Sequence, residues 1–589
     1  MDRWAFTPKS AAVRTRERNG SGTRIAVHLA MNELSLRTGL LALIPVVAAF
    51  VACGGNDATT PPSTNDGGTV DAGTDGSDVP DGGGCGSDVP ASPGMLVTDR
   101  GPVRGALEAG AYAYRNIPFA APPVGSLRWK PPAPAACWKE PRDGVAWGPM
   151  CPQSDETGTA PVTGSEDCLQ LNVFAPADKP GPLPIMLWIH GGGNLAGSAT
   201  SQVGTLRTYD AGKLAAKEGV IVVTTNYRLG ALGFLAHPAL AAEDANRSEG
   251  NYALLDTIAA LKWVKANAAA MGGDPAKVTI FGESAGAVNV CTLVASPLAK
   301  GLFAGAIMQS GGCVGKTRSE AEDLGAKVVA AAKCDAAADV LGCMRALSAE
   351  AVTSAFPIKI DVAGAVTGYA AVDDGYALVG KPLDAIKAGT HAKVPMIVGS
   401  NSEETSRSVP LAPAATAAQY EAAVRTLFPT ATVADAVLAQ YPVADYASPW
   451  ATYVALTTDA KFGCTARKTL RALRQTSTPA FRYYFSHALE NSALLGRFGA
   501  FHGADVLYLF DHLNVSGYTP GAGDTAVAST FMHRWAAFAK NPQDPSGGDV
   551  PAWPAYDAAT DPYLQIDSTV TTGTALRKPQ CDFWEALLP

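Results

Sequence analysis

The 589-residue chain lacks the cysteine spacing of a zinc or redox site. Eleven cysteines are present, but no two form a CxxC pair, so metal ligation or thiol exchange has no motif to stand on. Positive charge is also short. Lys and Arg number 46 against 54 Asp and Glu, for a net charge of −8, and no basic run occurs within the body of the chain. Phosphate backbones demand a basic face, so a nucleic-acid partner is excluded as a reading. No internal repeat is visible, which removes solenoids and propellers. The apolar run Leu40–Ala52 has 13 residues, interrupted only by Pro45. A membrane-spanning helix needs about 20.

What that run does fit is the core of a secretory signal. Arg37 lies upstream and Met31 is a plausible start, leaving residues 1–30 dispensable and 31–52 as the signal. The run closes on Val51-Ala52-Cys53-Gly54, resembling a bacterial lipoprotein signal in which Cys53 becomes lipidated. Simple secretion, with cleavage near Ala49, is the alternative. From Gly54 to about Ser92 the chain is Gly, Asp, Thr, Ser and Pro without a Lys or Arg. Such a stretch cannot bury a core, so residues 53–93 read as an acidic tether. The expected location is outside the cytoplasm, with any membrane attachment through the N-terminal lipid alone.

Residues 94–589 form the body. Short β-branched runs (Leu183–Ile189, Val220–Thr225, Val278–Phe281, Val394–Gly399 and Phe481–Phe485) alternate with helical patterns such as Tyr252–Asn267 and Ala285–Ala295. This alternation predicts an α/β fold, a mostly parallel sheet with helices on both faces. In that architecture, sites form at the carboxyl ends of strands.

Two such ends carry chemistry. Val278–Phe281 runs into Gly282-Glu283-Ser284-Ala285-Gly286 and then a helical pattern. A G-x-S-x-G between strand and helix places the serine on a strained turn and projects its hydroxyl, and the glycines let strand and helix approach. Leu183–Ile189 ends in His190-Gly191-Gly192-Gly193. Three glycines after a buried strand carry an entropic cost that an oxyanion hole explains. The expected donors are the amides of Gly192, Gly193 and Ala285, with His190 shaping the loop.

A serine nucleophile needs a base and an acid, in the chain order Ser, acid, His. His391 precedes its strand and is misplaced, and His512 and His533 have no flanking cue. The residues alone leave His502 and His487 open. The acid lies in Ser400-Asn401-Ser402-Glu403-Glu404-Thr405, after a strand, and spacing does not choose between the two glutamates.

These motifs resemble the type-B carboxylesterase/lipase family, which includes the cholinesterases. The resemblance runs from Arg115-Asn116-Ile117-Pro118-Phe119 through Glu166-Asp167-Cys168-Leu169, Asn226-Tyr227-Arg228-Leu229 and Gly272-Gly273-Asp274-Pro275 to Trp535. It implies an α/β-hydrolase fold and a serine esterase. It maps the acid to Glu404, with Thr405 where glycine is usual, and the base to His502. It also implies bridges Cys151–Cys168, Cys334–Cys343 and Cys464–Cys581, leaving 85–137 and 291–313 as one pairing of the remainder, and an Arg128–Glu166 structural ion pair.

The implied reaction is acyl transfer to Ser284 and then to water, without metal or organic cofactor, on a small-molecule ester. In cholinesterases an aromatic residue in the loop closed by the first bridge holds the choline cation. Residues between Cys151 and Cys168 include no aromatic, so a choline ester is not expected. Asn194 stands where an aromatic is common, predicting a more polar pocket. The expectation is a carboxylesterase for small to medium esters, with a long-chain lipase or a non-catalytic binding module as alternatives.

Overall fold

A computed structural model describes residues 85–86, 88–155, 158–358 and 368–587. The leader, Cys53 and most of the tether lie outside these residues. One mixed sheet of eleven strands organises them: β1 (Ala106–Glu108), β2 (Ala111–Pro118), β3 (Gln170–Pro176), β4 (Leu183–Ile189), β5 (Ile221–Thr225), β6 (Gly273–Glu283), β7 (Gly305–Gln309), β8 (Met396–Asn401), β9 (Ala480–Phe485), β10 (Pro562–Ile566) and β11 (Thr571–Thr574). Their spatial order is β11-β10-β9-β8-β7-β6-β4-β5-β3-β2-β1. From β5 through β10 neighbours are parallel, and the pairings at both margins are antiparallel.

The central strands explain their own sequences. β5, β7 and β8 are buried at every position, because helices cover both faces of a parallel sheet. Each therefore carries a short apolar run without alternation, Ile221–Val223, Ala306–Met308 and Met396–Val398. Register aligns Ile280 with Leu187, and Ile307 with both Phe281 and Ile397.

Helices α1 (Tyr252–Asn267) and α2 (Ala285–Ala295) match the expected spans. Farther along, α3 (Cys464–Gln475), α4 (Ala504–Leu509), α5 (Ala522–Lys540) and α6 (Lys578–Leu587) complete the framework of the site. Among the described residues, no helix is long and apolar enough to cross a membrane.

The described residues contain five disulfides: Cys85–Cys137, Cys151–Cys168, Cys291–Cys313, Cys334–Cys343 and Cys464–Cys581. Five bridges fit an oxidising compartment. Cys85, in the stretch read as tether, is thus fastened to the body. The last bridge ties α6 to the start of α3.

Candidate active site

Strand β6 ends at Glu283 and α2 begins at Ala285, so Ser284 alone makes the turn between them. Its backbone sits at φ 56°, ψ −124°. A non-glycine residue held there costs on the order of 1–3 kcal/mol and persists only when its surroundings over-determine it. They do. Ser284 N donates to Gln309 O at 2.9 Å, and Val288 N donates to Ser284 O at 3.1 Å. A Cβ on Gly282 would lie 2.7 Å from the Ile189 carbonyl, and one on Gly286 would collide with that same oxygen. Both glycines are therefore required by the close approach of β4 to the elbow.

The glycine loop after β4 packs onto the same turn. A Cβ on Gly191 would lie 2.9 Å from the Glu283 carbonyl and 3.1 Å from Ser284 Cβ. Gly192 and Gly193 adopt φ 104° and 63°, conformations that favour glycine. His190 Nδ1 lies 2.9 Å from the Gly191 carbonyl and donates to it, and its ring stacks on Tyr227 at 4.4 Å. Burial pushes its pKa down to about 4, so it stays neutral and shapes the loop. Asn194 is buried, and its amide donates to Tyr369 O at 3.0 Å and accepts from Asn289 at 2.9 Å. The more polar pocket expected from Asn194 does not follow, because its polar atoms brace the loop to α2 and to Tyr369.

Glu404 and His502 meet although 98 residues separate them. Nδ1 of His502 is 2.7 Å from Glu404 Oε2. An ionised carboxylate only accepts, so Nδ1 carries the proton. Glu404 Oε1 accepts from Asn401 N at 2.8 Å. The acid loop and the histidine loop are joined along their length. His502 N donates to Glu404 O at 3.0 Å, Asn401 Nδ2 to Phe501 O at 2.9 Å, and Ser406 Oγ to Phe498 O at 2.7 Å. Glu403 takes a different part. Its carboxylate accepts from Ala500 N at 2.9 Å and from Ser402, which fastens the loop leading into His502.

The other nitrogen of His502 faces Glu283, with Nε2 3.3 Å from Glu283 Oε1. That residue had been no more than the variable position of G-x-S-x-G. Its role was not legible, because nothing local says that a histidine 219 positions later will arrive there. Burial alone would lower the His502 pKa, but Glu283 first, then Glu404 and Asp505, raise it to about 9. Asp505 itself is fully buried on α4. It accepts from Gln309 at 2.7 Å, and also from Asn401 and Tyr483. Burial and the nearby Glu404 raise its pKa above the ordinary carboxyl value. Phe462 completes the surroundings, its ring centroid 5.0 Å from that of His502. It lies in a π-helical turn, Asp459–Gly463, just before α3.

His487, the competing base, is committed elsewhere. Nδ1 is 3.0 Å from Asp567 and Nε2 is 3.1 Å from Asp524. With Glu490 and Asp524 it forms a group whose ligand-type atoms lie within 4.8 Å, but both ring nitrogens already face carboxylates. Its work is to tie the end of β9 to α5 and to Asp567 after β10. His391 is buried against Thr478 Oγ1 at 2.9 Å. Arg128 pairs with Glu166, Nε to Oε1 at 2.8 Å.

The carboxylesterase family matches residues 92–584. A fumonisin B1 esterase of Sphingopyxis macrogoltabida is 36% identical over 495 residues, covering 81% of this chain and 87% of its own. A cocaine esterase of Oryctolagus cuniculus is 33% identical over 530 residues, covering 84% and 95%. Among solved structures, a PNB esterase superposes with a TM-score of 0.71 at 30% identity, covering 84% of this chain and all of its own. With an α/β-hydrolase sheet, a serine on a strained strand-to-helix turn and relatives matched over most of their length, this chain belongs to the carboxylesterase family and is a carboxylic ester hydrolase.

Proposed function

We propose that the protein hydrolyses small to medium carboxylic esters, with Ser284 as nucleophile, His502 as general base and Glu404 as the acid that orients it. The observation that carries this reading is the disposition of His502. One ring nitrogen is held by Glu404, and the other is turned toward the elbow that carries Ser284. In acylation, Ser284 Oγ attacks the ester carbonyl as His502 Nε2 takes its proton. Charge develops on the carbonyl oxygen, where the amides of Gly192, Gly193 and Ala285 receive it. One such donor is worth on the order of 10²–10³ in rate. The alkoxide leaves with the proton from His502. Water then attacks the acyl-enzyme by the reverse sequence, releasing the acid and restoring Ser284.

Relatives named for esters as different as fumonisin B1, cocaine and pyrethroids favour a broad class of organic ester substrates. The five disulfides favour export, and the Val51-Ala52-Cys53-Gly54 sequence at the end of the apolar run favours Cys53 as the lipid attachment point. Mass spectrometry of the mature N-terminus tests that assignment, and a terminus other than modified Cys53 rejects it. The activity is tested on p-nitrophenyl acetate and butyrate, comparing wild type with Ser284→Ala. Turnover in wild type that vanishes in the variant supports the reading. A folded wild type without turnover favours the binding-module alternative, and a strong preference for long acyl chains favours a lipase.

A further inference from the structure

The Ser284 turn is strained, and part of what holds it is a loop with little stiffness of its own. After β7 the chain runs Ser310-Gly311-Gly312-Cys313. Its backbone lies directly on the elbow. A Cβ on Gly311 would fall 2.8 Å from the Ser284 carbonyl and 2.6 Å from Ala287 Cβ. Two consecutive glycines make such a segment costly to order, and Ser310 is itself at φ 54°. One end is fixed, because β7 pairs with β6 and Ser310 N donates to Gly399 O at 3.0 Å. The other end is fixed covalently. Cys313 is bonded to Cys291, which lies on α2 seven residues beyond Ser284, and both cysteines are buried.

The same loop also reaches the histidine side. The Cβ position of Gly312 is 3.7 Å from Thr465 on α3. Thr465 Oγ1 donates to the carbonyl of Phe462 at 2.9 Å, and the ring of Phe462 packs on His502. The glycine pair is thus wedged between the nucleophile elbow and the turn that packs on the base.

We propose that the Cys291–Cys313 bridge is a positioning element for acyl transfer: it clamps the Ser310–Cys313 loop against the nucleophile turn and so fixes Ser284 relative to His502. This inference rests on the esterase reading above. The cysteines touch no substrate, and their effect runs through the loop. Cys334–Cys343, which closes a much shorter ring, supplies the comparison, because its removal costs stability without touching the elbow.

The test is the full chain carrying Cys291→Ala and Cys313→Ala together, assayed beside Cys334→Ala with Cys343→Ala. Both are measured for kcat and KM on p-nitrophenyl butyrate, and for the rate of Ser284 phosphonylation by a phosphonate ester. The clamp variant is expected to lose about 10-fold to 100-fold in kcat, the scale of a misplacement near 1 Å. KM should stay within about threefold, phosphonylation should slow in parallel, and the comparison variant should keep its kcat. A folded clamp variant with unchanged kcat overturns the proposal, as does an equal loss in the comparison variant. Should the alanine pair fail to fold, graded reduction of wild type with thiol mapping replaces it. Activity must then fall with opening of this bridge, and full activity in molecules where it is open rejects the clamp. Wild-type turnover that Ser284→Ala abolishes upholds the esterase reading whichever way the bridge experiments fall.

Discussion

Replacing Glu283 with Gln keeps the shape of the side chain and removes a charge 3.3 Å from His502 Nε2. Two unit charges about 4 Å apart attract by about 4 kcal/mol at an effective dielectric of about 20. At about 1.4 kcal/mol per pKa unit, that sets a ceiling of about 3 units. Glutamine still offers an oxygen to the imidazolium, so a fall of about 1–2 units from the value near 9 is expected. The base must be neutral to accept the Ser284 proton, so the activity of wild type should climb as pH rises through about 9. In Glu283→Gln the same climb should come 1–2 units earlier. The alkaline plateau should fall by about tenfold or more, since the lost carboxylate also stabilises the imidazolium formed in the transition state.

The assay is kcat/KM for p-nitrophenyl butyrate from pH 5 to 10. An inflection at the same pH in both proteins would refute the assignment. Stability gives a second readout with its own sign. A raised histidine pKa stabilises the fold fully below about 6.5, and that contribution is lost as pH rises toward 9. Glu283→Gln should shrink the loss over that window.

Gly286→Ala places a methyl group against the Ile189 carbonyl. It should destabilise the protein by about 1–3 kcal/mol or more, read as a lower thermal midpoint. Removing Cys464–Cys581, which spans 117 residues, should cost about 3–5 kcal/mol in denaturant unfolding, the long ring being the reason. Glu403→Ala should loosen the joint at Ala500 and lower kcat by about tenfold with KM little changed. A full kcat would show that Glu403 is not needed to seat His502. His487→Ala should reduce stability by about 2–3 kcal/mol through its two charged partners yet leave the folded enzyme active. Loss of turnover in a folded protein would return His487 to candidacy as the base.

Local chemistry wrote much of this molecule into its sequence. The spans of α1 and α2 could be read to the residue, since each is an uninterrupted proline-free run of helix-tolerant residues, a local property that needs no reference to its neighbours. Strand positions were legible too, but their ends were not. Val278–Phe281 extends in the structure to Gly273–Glu283, because Gly273 pairs with Leu183 of the adjacent strand. The elbow and the glycine loop were legible for the same local reason, each being a backbone conformation that only particular residues tolerate.

What the tertiary structure decided is everything that depends on distance through space. The residues alone left His502 and His487 open and the family resemblance pointed to His502; only the fold gives each ring its partners, Glu404 for one and Asp524 and Asp567 for the other. Spacing did not separate Glu403 from Glu404 and the resemblance mapped the acid to Glu404; the direction of the two adjacent side chains, one toward Ala500 and one toward the imidazole, is tertiary. Asn194 reads as a pocket residue in the sequence, whereas in the fold its amide is bonded to Tyr369 and Asn289. Glu283 had no sequence signal at all, and the pairing of Cys291 with Cys313 was only one arrangement of the cysteines that the resemblance leaves over. Each acquires its meaning from a partner that the parallel sheet delivers to the carboxyl end of β6. Sequence fixes conformation residue by residue, whereas the charge and packing around a site are sums over neighbours that only folding assembles.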